Sequence, residues 1–390
     1  MATSINEHVR WVVGRPGSPA DARSLPDLHD AFPEHPDGMF DRLGRGFSQS
    51  AAAVAAGAIA GGAVAGPVGA TVGAGLVSYV AGGMRPPGTI ATPVCASDRI
   101  SVPEKLRVMT WNVHGGMGGP GKFLSSSEEL DRLADEIRKQ DPDVVVLQEV
   151  DLSAPRSNYR DTLTQLAERL QPTSAVSGSG VTFVTGRSQH VAVMTFHGIR
   201  VTNARSFVHE DPYGNGLSRR VRGAVNDIRK AVSDLRHKPA ADVATPPLDV
   251  RDTLDTMLHT PAGNDIRMLT GHYGSRTRRF DHPANALYPV AAAVSAWNGA
   301  TILAGDFNVR SATGDGSRER SVLSGAGLTD AFVAAGYAPG AEERASIPES
   351  PVDIDRIYTS RHARVASVSV VRDAGNASDH YPVIADLQLA

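Results

Sequence analysis

From residue 106 onward, short β-branched runs alternate with stretches whose apolar positions recur at helical spacing. The runs LRVMTWN, DVVVLQEV, HVAVMTF, IRMLTGH, TILAGDFN, IDRIYTS, ARVASVSVV and YPVIADLQL predict strands. Between the first two, Ser126 and Glu129 stand at capping-box spacing before Leu130, Leu133, Ala134 and Ile137, which lie on one helical face. Further helices are predicted near 160–170 and 284–296. Residues 209–262 read as a polar, irregular elaboration, apart from a helical stretch from Asp227 to Leu235. This alternation is the pattern of layered sheets with helices outside, an α/β fold.

The N-terminal quarter has a different texture. Residues 1–45 are polar, and from Gly46 to Met84 no residue is charged, the middle being almost wholly Ala, Gly and Val. That segment is long enough to cross a bilayer, which takes about 20 apolar residues. Glycines stand four apart at Gly57/Gly61, Gly62/Gly66 and Gly69/Gly73, a spacing that lets helices approach closely in a membrane, while Pro67 interrupts any single straight helix. Two readings stay open: membrane association through 51–83, or a small-residue tether or helical hairpin packed on soluble protein. Residues 85–104, rich in Pro, Ser and Thr, read as a linker to a domain spanning 105–390.

Composition narrows this picture only a little. The chain has 390 residues, 41% of them hydrophobic and 21% charged, so a sizeable packed core is expected and global disorder is excluded. A formal charge of −3 gives no global basic footprint, leaving any nucleic-acid contact to local clusters. Cys95 is the one cysteine, which excludes an intrachain disulfide and a thiolate metal site. Residues 1–30 hold Glu7, Arg10, Arg15, Asp21 and Arg23 and no apolar core of a secretory signal. The expected location is membrane-associated or exported without such a signal, and otherwise cytoplasmic.

Candidate chemistry gathers at strand ends. In ILAGDFN an apolar run ends in Asp306 and Asn308, which strand alternation would turn to one side with Phe307 turned back into the core. TWNVHGG, LQEVD, TGHYGS and SDHYPV likewise end runs in polar residues. One such ending is ordinary, but five in a single domain are not expected by chance. With these motifs, residues 106–390 resemble the endonuclease/exonuclease/phosphatase superfamily, the fold of deoxyribonuclease I. The resemblance implies a two-layer β-sandwich flanked by helices, with the site where loops of both sheets converge, and the Gly/Ala-rich segment as an N-terminal extension outside it. It implies Glu149 as principal metal ligand with Asn112 and Asp379 as helpers, and His380 as general base. Asp355 is taken over Asp353 as the acid beside His380, because the family pattern sets that acid before a basic or aromatic residue and an apolar one. His272 resembles the second family histidine, which binds the phosphate or protonates the leaving oxygen.

The residue types suit that chemistry on their own terms. Attack on a phosphodiester builds negative charge on the phosphoryl oxygens and the leaving oxygen, which hard cations and fixed donors stabilise. Mg²⁺ takes oxygen ligands and keeps several waters, so one or two carboxylates suffice, with Mn²⁺ or Ca²⁺ as alternatives. Asp306 can accept a proton from the nucleophile and Asn308 can donate to a phosphoryl oxygen. Arg276, Arg278 and Arg279 follow His272 closely and are suited to clamp phosphates. One departure from the family is visible: where relatives carry a Gly-Asn pair before a strand, this chain reads GRSQHVAVMT with His190, or else supplies the motif later through Asn215 in YGNGLSRR. The leading reading is a divalent-metal-dependent phosphodiesterase, with DNA or RNA favoured as substrate. A lipid phosphodiesterase or phosphoinositide phosphatase, a toxin-like effector with nuclease cargo, and a non-catalytic membrane-anchored binding module are the alternatives.

Overall fold

A computed structural model describes residues 4–6, 9–14, 103–122, 124–152, 157, 160–178, 181–182, 188–208, 252–273, 286–348 and 350–389. The uncharged segment 46–84, the helical stretch expected at 227–235, and Asn215, Arg276 and Arg279 lie outside the described residues. Among the described residues, no helix is long and apolar enough to cross a membrane.

The strands, in chain order, are β1 (Ser4–Asn6), β2 (Arg10–Val13), β3 (Glu104–Asn112), β4 (Val144–Asp151), β5 (Ser174–Ser177), β6 (Val181–Thr182), β7 (Ser188–Thr195), β8 (Arg200–Val208), β9 (Asp252–His259), β10 (Asp265–His272), β11 (Ala300–Asp306), β12 (Leu328–Asp330), β13 (Asp355–Ser360), β14 (Ala363–Val370) and β15 (Val383–Leu389). The helices are α1 (Ser127–Gln140), α2 (Thr162–Leu170), α3 (Leu287–Ser295), α4 (Gly314–Gly325) and α5 (Ala331–Ala334). One sheet of seven strands runs β1-β8-β9-β10-β11-β13-β12; the other, of eight, runs β14-β15-β3-β4-β7-β5-β2, with β6 on β7. The expected two-layer sandwich flanked by helices is what the chain forms.

The alternation of side chains explains the layers. Val108, Val144, Val146, Met268, Ile302, Ala304 and Ile357 face inward and join one core between the sheets. The intervening Met109, Trp111, Val145 and Leu147 face outward under α1 and α2, and Leu269, Leu303 and Phe307 lie under α3 and α4. Ser126 caps α1 by accepting from the Glu129 backbone N–H at 3.2 Å, as the sequence spacing predicts.

Two differences from the sequence reading have physical causes. The span 209–262 is not irregular throughout: β9 pairs antiparallel with both β8 and β10. Its sequence DTLDTMLH hides this, because Asp255 is a buried acid matched by Arg205 and Arg267 on the flanking strands. In addition, β1 pairs with β8 and β2 with β5, so residues from the polar N-terminal region lie at an edge of each sheet.

Among the described residues each sheet contains one parallel pair, β3–β4 in the eight-stranded sheet and β10–β11 in the seven-stranded one. Parallel neighbours need a crossover, here through α1 and α3. Both pairs end at the same edge of the sandwich, and ligand sites of parallel strands collect at their carboxyl ends.

Candidate active site

Four strand ends bring the first residues together. Asn112 closes β3, Glu149 lies near the end of β4, and His272 and Asp306 are register partners at the ends of β10 and β11. Asp306 pairs in turn with Asp355 at the start of β13. The close approach of β10 to β11 requires glycine: a Cβ on Gly305 would stand 2.1 Å from the Gly271 carbonyl oxygen. That steric demand accounts for the Gly in AGDF, whereas a Cβ on Gly271 in TGHY would stand 2.5 Å from the Tyr273 ring.

Glu149 reaches the site through a bulge. Leu147 pairs with Ala192 but Val150 pairs with His190, so β4 carries one residue more than β7 across this interval. Glu149 has φ of 55°, a left-handed conformation unusual for a side chain of this kind. Leu147 and Val150 both join the outer core, whereas a regular strand would place them on opposite faces. The extra residue lets Glu149 turn toward Asn112 instead of away from it.

Hydrogen bonds knit the groups. Asn112 Nδ2 donates to Asp306 Oδ2 at 3.1 Å and to Glu149 Oε1 at 3.4 Å, while Asn112 Oδ1 accepts from the His114 backbone at 3.1 Å. The face Asn112 shows to both carboxylates is therefore a donor, suited to hold them in place. Asp306 Oδ2 lies 3.3 Å from His272 Nε2, and Asp306 Oδ1 accepts from the Asn308 backbone at 2.8 Å. Asn308 lies beyond the strand end with φ of 53°, and its Nδ2 donates to the Tyr273 carbonyl at 2.9 Å. His380 Nδ1 meets Asp355 Oδ2 at 2.8 Å. Asp353, the competing acid, is engaged elsewhere: it accepts from Ser311 N at 3.0 Å and from Arg344 Nε at 3.1 Å.

Burial makes these charges strongly interdependent. It would push the Asp306 carboxyl up, but the contact with His272 and the charges of His272 and His380 outweigh it and draw Asp306 down to about 2. Such a carboxylate is a weak base and suits an orienting role better than proton abstraction. Burial also disfavours the His380 imidazolium, yet Asp355, Asp306 and Asp379 outweigh it and lift His380 to about 10. Burial, with the charge of Asp306, raises the Asp355 carboxyl. Both of the last shifts keep a proton inside the Asp355–His380 pair.

The carboxylate oxygens of Glu149, Asp306 and Asp355 are the chemistry of a hard divalent cation. Ligand atoms of Asp306, Asp355 and His380 lie within 4.8 Å of one another, and the buried Asp355 Oδ1 has no hydrogen-bond partner in the protein. Glu149 stands half-buried beside this set, linked to it through Asn112. Asp379 lies further round the rim, 3.6 Å from His114 Nδ1. These residues fit a cation bound among carboxylates.

The profile of the Endonuclease/Exonuclease/phosphatase family matches residues 109–380. The chain belongs to that family. Its members are hydrolases of phosphoester bonds and depend on divalent metals, and this chain is a phosphoesterase of that kind. Solved structures share the fold. A family protein from Beutenbergia cavernae is 21% identical, over 73% of this chain and 72% of that one, with a TM-score of 0.54. One from Bacteroides thetaiotaomicron is 18% identical over 74% and 96%, with a TM-score of 0.50. The human Nocturnin catalytic domain is 16% identical over 73% and 94%, also with a TM-score of 0.50. No curated protein matches the chain in sequence.

Of the residues expected for this family site, Asn112, Glu149, His272, Asp306, Asn308, Asp355 and His380 come together, and Asp379 lies at the rim. His190 lies one strand over, opposite Val150, with its Nδ1 2.7 Å from the Gly178 carbonyl. Sequence reasoning missed three supporting residues. Ser346 donates to Asp355 Oδ2 at 2.6 Å, from a loop no motif marks. Ser378 donates to the Asn112 carbonyl at 2.7 Å and so anchors the turn that carries His380. His114 was signalled only by the two glycines that follow it; all three have positive φ, a local bend that brings His114 beside Asp379.

Proposed function

We propose that this protein is a Mg²⁺-dependent phosphodiesterase that cleaves nucleic acid. The observation that carries this reading is the pair of imidazole–carboxylate contacts, His380 with Asp355 at 2.8 Å and His272 with Asp306 at 3.3 Å, gathered beside Asn112 and Glu149. Two histidines flanking one reacting phosphate supply a proton acceptor on one side and a donor on the other. Glu149, with Asn112 and Asp379 nearby, would hold the cation. When bound, Mg²⁺ supplies positive charge to the phosphoryl oxygens and lowers the proton affinity of His380.

In this reading Asp355 fixes the His380 tautomer by occupying Nδ1, leaving Nε2 to take the proton of the attacking water. Asp306, ionised at any physiological pH, orients that water. His272 binds the phosphate or protonates the leaving oxygen, and Asn308, held by the Tyr273 carbonyl, offers its remaining N–H to a phosphoryl oxygen. Preference for nucleic acid over lipid rests on Arg276 and Arg279, which follow His272 by four and seven positions and match a polyanionic backbone. The test is to incubate the full chain with plasmid DNA, RNA, sphingomyelin and a phosphoinositide, with Mg²⁺ and with chelator. Chelator-sensitive cleavage of nucleic acid is expected. Lipid turnover without nucleic-acid cleavage would transfer the proposal to a membrane phosphoesterase.

A further inference from the structure

Going down from the site, the inner faces of the strands pass through three kinds of layer. The top layer is ionisable: Glu149, His272, Asp306 and Asp355, with Asn112 among them. The core one step lower still is apolar, with Val108, Val146 and Met268. Between them lies an uncharged polar layer of Thr110, Gln148 and Thr270, all 0% exposed. Thr110 and Thr270 stand two positions before Asn112 and His272, and Gln148 immediately precedes Glu149.

Gln148 joins the three. Its Nε2 donates to Thr110 Oγ1 on the neighbouring strand at 3.2 Å and, across the gap between the sheets, to Thr270 Oγ1 at 3.1 Å. Thr110 Oγ1 returns a contact to Gln148 Oε1 at 3.4 Å. Packing alone does not call for an amide here, since Val146 and Met268 fill equivalent inward positions one step below. Burying an amide is unfavourable unless it is satisfied at both ends, and this one is. Its place in the chain is the other half of the observation: it is the first residue of the bulge whose second residue, Glu149, holds the left-handed conformation. Such a conformation persists only when the surroundings over-determine it.

We propose that Gln148 is a positioning residue: by tying β4 to β3 and, across the sandwich, to β10, it holds the bulge that delivers Glu149 to Asn112, and thereby sets divalent-cation affinity. The inference rests on Glu149 being a cation ligand, so the experiment treats the two claims separately. Mn²⁺ alone is titrated calorimetrically into the full-length wild type, Gln148→Met, Thr270→Val and Glu149→Gln, without substrate, alongside metal-free melting curves. Gln148→Met keeps the side chain's length and removes both donors; its Mn²⁺ affinity is expected to fall by about 10–100-fold, the effect typical of residues that orient a ligand. Its metal-free melting temperature should change little. Thr270→Val, which cuts only the contact between the sheets, should fall in the same direction by less, and should add little in the Gln148→Met background because the two act through one contact. If Glu149→Gln weakens Mn²⁺ binding while Gln148→Met binds as the wild type does, the positioning role is overturned and the ligand assignment stands. If Glu149→Gln itself binds Mn²⁺ normally, both are overturned. Should Gln148→Met fail to fold, Thr270→Val decides alone, and unchanged affinity there overturns the proposal.

Discussion

Asp353 and Asp355 stand two positions apart in DIDRIY, both buried, yet they face different tasks. Asp355 receives His380 and Ser346, whereas Asp353 and Asp330 flank the fully buried guanidinium of Arg344. Their asparagine variants should therefore separate activity from stability. Asp355→Asn is expected to lower kcat by roughly 10–100-fold with little change in urea stability, since it removes the charge that orients His380. Asp353→Asn is expected to cost about 3 kcal/mol or more of stability, measured by urea unfolding, because it leaves a buried cation short of a partner. His380→Ala should lose about 10²–10⁴-fold in kcat, the range for a missing proton-transfer group. His272, Asp306 and Asn308 were legible in sequence because an apolar run ends there in polar groups, and Asp355 and His380 because DIDRIY and SDHYPV resemble the family motifs. Ser346 was not, since nothing but tertiary packing brings it to Asp355. The bulge was not legible either: plain alternation along VVVLQEV would have sent Glu149 to the outer face beside Leu147.

Elements reveal themselves in sequence when their partners supply only apolar surface, and β9 shows the limit. Asp255 at its centre accepts from Arg205 Nε on β8 at 3.0 Å and from Arg267 Nε and Nη2 on β10 at 2.9 and 2.6 Å, and Arg267 also donates to the Ala293 carbonyl of α3. A strand crossed by a buried ion network reads as polar loop. Helix α4 escaped for a related reason, as GDGSRERSVLSG buries the carboxylate of Glu319 against Arg356 and Tyr358 where an apolar stripe would normally lie. The Asp255 network has a pH signature. Burial favours the neutral acid, but Arg267 and Arg205 hold the carboxyl below its ordinary 3.8. A carboxyl depressed in the folded state contributes stability that is fully present above the unfolded value and is lost as pH falls through the folded one. In urea unfolding repeated from pH 6 downward, the wild type should therefore lose part of its stability below 3.8. Asp255→Asn should be less stable at pH 7 and lack that component of acid loss; an unchanged acid profile would show that the network does not couple folding to protonation.

At the scale of the molecule, the N-terminal residues hold the sandwich along one side. Ser4–Asn6 extends the seven-stranded sheet beyond β8, and Arg10–Val13 extends the other beyond β5. Val9 and Trp11 pack against the core between the sheets, while Val12 and Val13 turn to the outer core under α2. Arg10 pairs with Asp161, the N-cap of α2, and donates to Thr164 Oγ1 at 2.9 Å. The next residue, Thr162, donates to the Gly115 carbonyl at 3.4 Å, in the bend that carries His114 beside the site. Removing residues 1–14 would uncover an edge strand in each sheet, and unpaired edges invite association between chains. It would also expose inward surface that Trp11 covers, where full burial of a large apolar side chain is worth roughly 1.5–3 kcal/mol. A chain beginning at residue 103 should consequently melt several degrees below the full chain and aggregate at lower concentration, and Arg10→Ala should show a smaller loss in the same direction. Scanning calorimetry with light scattering distinguishes the outcomes: equal melting temperatures would mean that β1 and β2 rest on a sandwich that is complete without them. The expected loss would make the segment before the linker part of the catalytic fold, so that the chain on either side of 46–84 belongs to one sheet, with β2 before it and β3 after it.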